Sequence, residues 1–140
     1  MSAADFILDP RLAADTHPVT SLPLCDILLM DDARYPWLIL VPRRAGLVEV
    51  GDLGSHEQAL LWQEVARAGA ALRAVAPFDK LNLGALGNIV RQLHVHVVGR
   101  RDGDAAWPGP VWGNGKAEAY EAATRTALIN DLRPALTRTE

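Results

Sequence analysis

Between Leu93 and Val98 the chain reads Leu-His-Val-His-Val-Val, with Gln92 in front of it. Side chains two apart on a β-strand point the same way. Gln92, His94 and His96 therefore share one face, while Leu93, Val95 and Val97 share the other, which helices would cover. Two histidines at exposed strand positions would add little stability, so the pattern calls for a functional reason. Three readings of it stand. The histidines happen to sit on a solvated sheet face. Or His94 and His96 are a first pair of metal ligands, although zinc needs a third and usually a fourth, and neither His17, His56 nor Cys25 has ligand spacing. Or one imidazole is a nucleophile and the other donates a hydrogen bond to a phosphate oxygen. An imidazole is a competent nucleophile near neutral pH if an acceptor holds its far nitrogen in one tautomer.

The rest of the chain sets the frame for this strand. Asp26 to Met30 reads as a buried strand that ends in a turn at Asp31-Asp32. Trp37-Leu38-Ile39-Leu40-Val41 reads as its antiparallel partner, stopped by Pro42. Val19 to Leu24, with Ser21 and Pro23, reads as a loop. Ser55-His56-Glu57-Gln58 has the form of a capping box with Ser55 as N-cap. A helix of apolar periodicity follows, with Trp62 on its core face, until Pro77. Lys80 to Leu86 reads as a strand, Gly87-Asn88 as a turn, and Leu93 to Val98 as a strand ending at Gly99. Arg100 to Gly115 is irregular, and Lys116 to Arg133 reads as a second helix ended by Pro134. Strands and helices segregated in this way imply an α+β fold: a mostly antiparallel sheet with one long helix on it and a C-terminal helix.

With 140 residues the chain is long enough for one domain with a real core. Its formal net charge of -3 gives no argument for nucleic-acid binding, so any phosphate site must be local. No apolar run approaches a bilayer span, and Met1 to Pro10 lacks a basic stretch followed by an apolar core. The expectation is a cytoplasmic protein that meets no membrane. The single cysteine, Cys25, reads as a small core residue, because nothing in the sequence marks it as a thiolate.

The segment Gln92 to Val98 resembles the signature of the histidine triad (HIT) family, His-φ-His-φ-His-φ-φ with φ apolar, carrying Gln92 in place of the first histidine. Asn82-Leu83-Gly84-Ala85-Leu86-Gly87-Asn88-Ile89-Val90 is similar to the family's Asn-bearing strand and Gly-containing phosphate loop. Trp37 to Arg44 is similar to its strand ending in a Val-Pro-Lys/Arg turn. The likeness runs from about Leu24 to Trp112, in matching order, and implies one HIT-like domain over residues 1–140.

The resemblance implies a nucleotide hydrolase or transferase. His94 would attack the α-phosphorus and form a nucleotidyl-histidine, which water then hydrolyses. His96 would contact a phosphate oxygen, and the backbone at Gly87 and Asn88 would approach the phosphates. Asn82 would reach the ribose or phosphate, and Asp31 the ribose hydroxyls. Trp107 and Trp112 would belong to an aromatic segment near the site, in some branches across a dimer interface, so a homodimer is implied. Trp37 stands where relatives often carry His. No metal or other cofactor is implied. Gln92 can donate and accept hydrogen bonds but cannot relay a proton as imidazole does. Ile89 stands where the family tends to carry a hydroxyl. Both departures imply a slower catalyst or a different leaving group. A nucleotide-binding protein with little turnover and a His-based metal module are the alternative readings.

Overall fold

The computed structural model describes residues 5–138; the start of the Met1–Pro10 segment and the last two residues lie outside them. Chain order is α1 (Pro10–Asp15), β1 (Thr16–Ser21), β2 (Cys25–Met30), β3 (Trp37–Pro42), α2 (Ser55–Val75), β4 (Lys80–Gly84), β5 (Val95–Arg100) and α3 (Ala122–Thr137). The strands form one five-stranded sheet in the order β1-β2-β3-β5-β4, and every pair is antiparallel. This is the expected α+β architecture.

Period-two alternation divides the sheet between two apolar layers. Leu38 and Leu40 of β3 join Val95 and Val97 of β5 under α2 and α3, in a core that includes Leu61, Leu72 and Leu132. Trp37, Ile39 and Val41 join Val98 on the opposite face, where Leu12 of α1 and Val111 pack against them. That second layer was not foreseen. It makes the central strands apolar on both faces, and it buries the imidazole face as well. His94 is 6% exposed and His96 8%, so a solvated histidine face is ruled out.

Several local expectations are corrected. Val19–Ser21 belongs to β1 rather than to a loop. Pro18 is tolerated there because β1 is an edge strand, and a register shift between Pro18 and Thr20 sets Val19 into the core. The N-cap of α2 is Gly54, without a side-chain cap; the Gln58 amide instead donates to the Leu53 carbonyl at 2.7 Å. Trp62 is half exposed rather than core. β5 starts at Val95, not Leu93, because residues 85–94 leave the sheet to form the loop beside the site. α3 starts at Ala122 and runs through Pro134 to Thr137. The turn after Pro134 survives because Leu136 is fully buried and the Thr137 hydroxyl donates to the Arg133 carbonyl at 2.9 Å.

Cys25 is buried as expected. The Glu64 carboxylate of α2 accepts the backbone amides of Leu24 and Cys25, both at 2.8 Å. Burial first, then the Glu64 charge, pushes the Cys25 thiol far above its usual range, so it is no thiolate.

Candidate active site

His94 lies just before β5. The Leu93 amide donates to the Leu47 carbonyl at 3.0 Å, and the antiparallel ladder to β3 begins at Val95. The His94 Nδ1 is 2.7 Å from the Gln92 backbone carbonyl. A carbonyl can only accept, so Nδ1 carries the proton and Nε2 keeps its lone pair. The His96 ring lies edge-on to His94, with centroids 4.9 Å apart. Its Nδ1 receives a hydrogen bond of 3.0 Å from the Trp37 indole N–H. Trp112 stands edge-on to both His96 and Trp37, and its own Nε1 is buried without a partner. Burial, and secondarily the charge on His94, lowers the His96 pKa to about 3, so His96 is neutral through the physiological range.

These residues meet at a cleft of about 710 Å³. His94, His96, Trp37, Trp112 and the Gly87–Asn88 turn line it, as does Ile89. Gly87 has φ +70, a conformation that glycine reaches without strain. Leu12, Met30, Ile39 and Val90 supply an apolar wall; Arg11, Asp15, Asp32 and Arg34 supply charge. His94, Gly87 and Asn88 also border a second cleft of about 610 Å³ that includes Arg91.

Of the other sequence candidates, Gln92 lines that second cleft, while Asn82, Asp31 and Trp107 line neither. The Gln92 side chain turns away from the histidines: Oε1 accepts the Asp9 amide at 2.8 Å and Nε2 donates to the Ile7 carbonyl at 2.9 Å. It thereby ties down the entry to α1, whose Leu12 and Arg11 line the cleft. Asn82 Oδ1 accepts from Arg100 at 3.0 Å. Asp31 accepts the Tyr120 amide at 2.9 Å and lies 3.4 Å from His17 Nε2. Neither Asn82 nor Asp31 lines the cleft. Trp107 lies outside it too, its ring 5.6 Å from the Arg100 guanidinium.

Two arginines were missed. Arg100 is 1% exposed and reaches Asp104 at 2.8 and 2.7 Å, Asn82, and the Gly109 carbonyl at 2.8 Å. It pins the loop that delivers Trp112 to the site. Its signal was the alternation itself, since His94, His96, Val98 and Arg100 continue one face. Arg34 grips Asp32 through Nε and Nη2. Burial pushes the Asp32 carboxyl up, but the hydrogen bonds from Arg34 and the Glu118 amide outweigh it and hold the pKa below the ordinary value. Among the described residues, no three His, Cys, Asp or Glu side chains group to hold a metal ion. No helix among them is long and apolar enough to cross a membrane.

Residues 11–103 match the HIT domain. The chain belongs to the HIT domain family. Three solved structures of HIT proteins cover nearly the whole chain. A histidine triad protein of Sinorhizobium meliloti is 48% identical with a TM-score of 0.91, covering 94% of this chain and 97% of its own. One of Bradyrhizobium japonicum is 47% identical, also at 0.91, covering 94% and 98%. One of Marinobacter aquaeolei is 43% identical at 0.91, covering 94% and 96%. No curated protein matches the chain.

Proposed function

We propose that this HIT protein cleaves or transfers a nucleotide conjugate at its α-phosphate through a nucleotidyl-His94 intermediate. HIT proteins are in general nucleotide hydrolases or transferases, and the reading carries that chemistry to this site. The observation that carries it is the His94 Nδ1 contact with the Gln92 carbonyl at 2.7 Å, which leaves Nε2 with a free lone pair at the cleft. Nε2 donates that pair to phosphorus. The bond to the leaving group breaks with its electrons, and the leaving group takes a proton from water. The Gln92 carbonyl stabilises the imidazolium character of the adduct through Nδ1–H. Water then attacks phosphorus, the P–N bond returns its pair to Nε2, and the water protons pass to solvent. His96 contacts a phosphate oxygen, and the backbone at Gly87 and Asn88 approaches the phosphates. Preorganised donors of this kind stabilise charge that develops in the transition state.

Gln92 takes the place of the first triad histidine in this reading. Its side chain is occupied by the α1 entry, so it relays no proton. Ile89 is 77% exposed at the cleft and offers no hydroxyl to a leaving group. Both support slow turnover. Substrates are dinucleoside polyphosphates or nucleoside phosphoramidates, which share the reacting α-phosphorus. A homodimer fits the free edge of β4, where Leu83 is 46% exposed; a monomer mass by light scattering at micromolar concentration would count against it.

The test is incubation of wild type and His94→Ala with both substrate classes, followed by intact mass and mononucleotide release. A nucleotidyl adduct on wild type alone is expected. Nucleotide affinity with no adduct and no release overturns the enzyme reading in favour of a binding protein.

A further inference from the structure

The two imidazoles of the site meet opposite kinds of partner. His94 Nδ1 faces a backbone carbonyl, which can only accept. His96 Nδ1 faces the Trp37 indole N–H at 3.0 Å, which can only donate. The structure assigns to Trp37 a positioning role: its N–H locks His96, which lines the cleft, in the neutral tautomer that carries its proton on Nε2. What that proton binds rests on the function proposed above; the tautomer itself does not.

Among the described residues no other group hydrogen-bonds to His96 Nδ1. Trp37 is 4% exposed and His96 8%, so both groups of this hydrogen bond lie almost entirely out of water. The pairing is built by the sheet. Ile39 lies opposite His96, and Trp37 lies opposite Val98, one diagonal step away on the same face. Such diagonal neighbours are within reach of an aromatic side chain. The indole is wedged in turn by Tyr35, with centroids 6.2 Å apart, and by Trp112 at 6.5 Å. Burial holds the His96 pKa at about 3, so near neutral pH the ring is uncharged and can offer substrate either a proton or a lone pair. The tautomer decides which. A lone pair at Nε2 would repel a phosphate oxygen; a proton there binds it. An imidazole at position 37 could play either role and could titrate. An indole is a permanent donor, so it removes the ambiguity. The two rings then present complementary atoms to one cleft, a lone pair from His94 and a proton from His96.

Long-range proton–nitrogen NMR on 15N-labelled wild type at pH 7 reads the tautomer without any substrate. The expected result is His96 with a protonated Nε2 and a bare Nδ1, and a nitrogen–nitrogen coupling across the hydrogen bond to the Trp37 indole. In Trp37→Phe the coupling disappears and the other tautomer gains population. The adduct-forming rate then falls about tenfold or more, with KM changed less than about threefold, as for a lost transition-state donor. A protonated Nδ1 on His96 in wild type, or an unchanged tautomer ratio in a folded Trp37→Phe, overturns the assignment. If Trp37→Phe does not fold, the wild-type spectrum alone decides. A protein that forms no adduct but shows the predicted tautomer refutes the function and leaves the lock standing.

Discussion

Acid should weaken this protein earlier than its carboxylates alone would, because of His96. Its pKa falls from an ordinary 6.5 to about 3 in the fold. The cause is burial first, then the charge on His94, and Trp37 and Trp112 are its other close neighbours. Between those values the unfolded chain takes up a proton at this ring and the folded one does not. Stability contributed here is therefore present above the unfolded pKa and is lost as pH falls from it toward the folded pKa. From pH 6.5 to 4.5 the loss is about 2.3 kcal/mol, at 1.36 kcal/mol per unit and with the unfolded ring already half protonated at pH 6.5. The ring is nearly enclosed, so solvent screening takes little from that figure. The window is clean on the acid side. Asp32 and Asp104, with pKa values held below 3.8, stay ionised in the fold until lower pH. The control is His96→Gln, which cannot protonate and keeps an acceptor for the Trp37 N–H. With an m-value of about 1.5 kcal/mol/M, urea midpoints should fall by about 1.5 M more in wild type than in His96→Gln over this window. Parallel curves for the two proteins would refute the reasoning, because His96 would then titrate in the fold as it does in the unfolded chain.

Two further outcomes test the supports of the site. Arg100→Leu strands Asp104 and frees the loop at Gly109; losing one partner of a buried ion pair costs about 3–5 kcal/mol. That corresponds to a melting temperature lower by on the order of 10 °C, measured by calorimetry, and a drop below about 3 °C would show that the loop holds without it. Gln92→Ala removes the two hydrogen bonds to Ile7 and Asp9 but keeps the carbonyl that faces His94. It should cost about 1–2 kcal/mol in urea unfolding and lower the adduct-forming rate less than about tenfold, whereas a loss above about a hundredfold would mean the side chain acts on the histidine after all.

The central elements were legible because their patterns are strong. β2, β3 and α2 carry long apolar runs or clear helical spacing, and the division of β5 into an apolar and an imidazole face follows from period two alone. The edges were not. β1 is half polar and contains Pro18, and α1 is only six residues long, too short for a periodic signal. Tyr120 looked helical by spacing, yet its amide is taken by Asp31 and the helix begins two residues later. The second apolar layer comes from α1 and the loop after β5, two segments with no period of their own, so the burial of His94 and His96 could not be read in advance. The Trp37 contact was hidden for another reason. It depends on the register between β3 and β5, and on which diagonal neighbour an indole reaches, and a single sequence fixes neither.

This bears on what a glutamine at position 92 costs. By resemblance to the family, the side chain there would help to orient His94, a task that glutamine could still share because it donates and accepts hydrogen bonds. The geometry separates two jobs that such a motif joins. The group facing the His94 Nδ1 is the backbone carbonyl of residue 92, and any residue supplies that carbonyl as long as the backbone holds its path. The path is held by the Leu93 amide on Leu47 and by the Gln92 side chain fastened to the segment before α1. What glutamine cannot replace is a titrating group for moving protons. On the proposed mechanism, adduct formation with a good leaving group should therefore survive, and the burden should fall on leaving groups that need a proton as they depart. Ile89, which offers no hydroxyl at the cleft, pushes the same way. On that mechanism, a glutamine at position 92 bears on which conjugate would be opened more than on whether His94 is poised to attack.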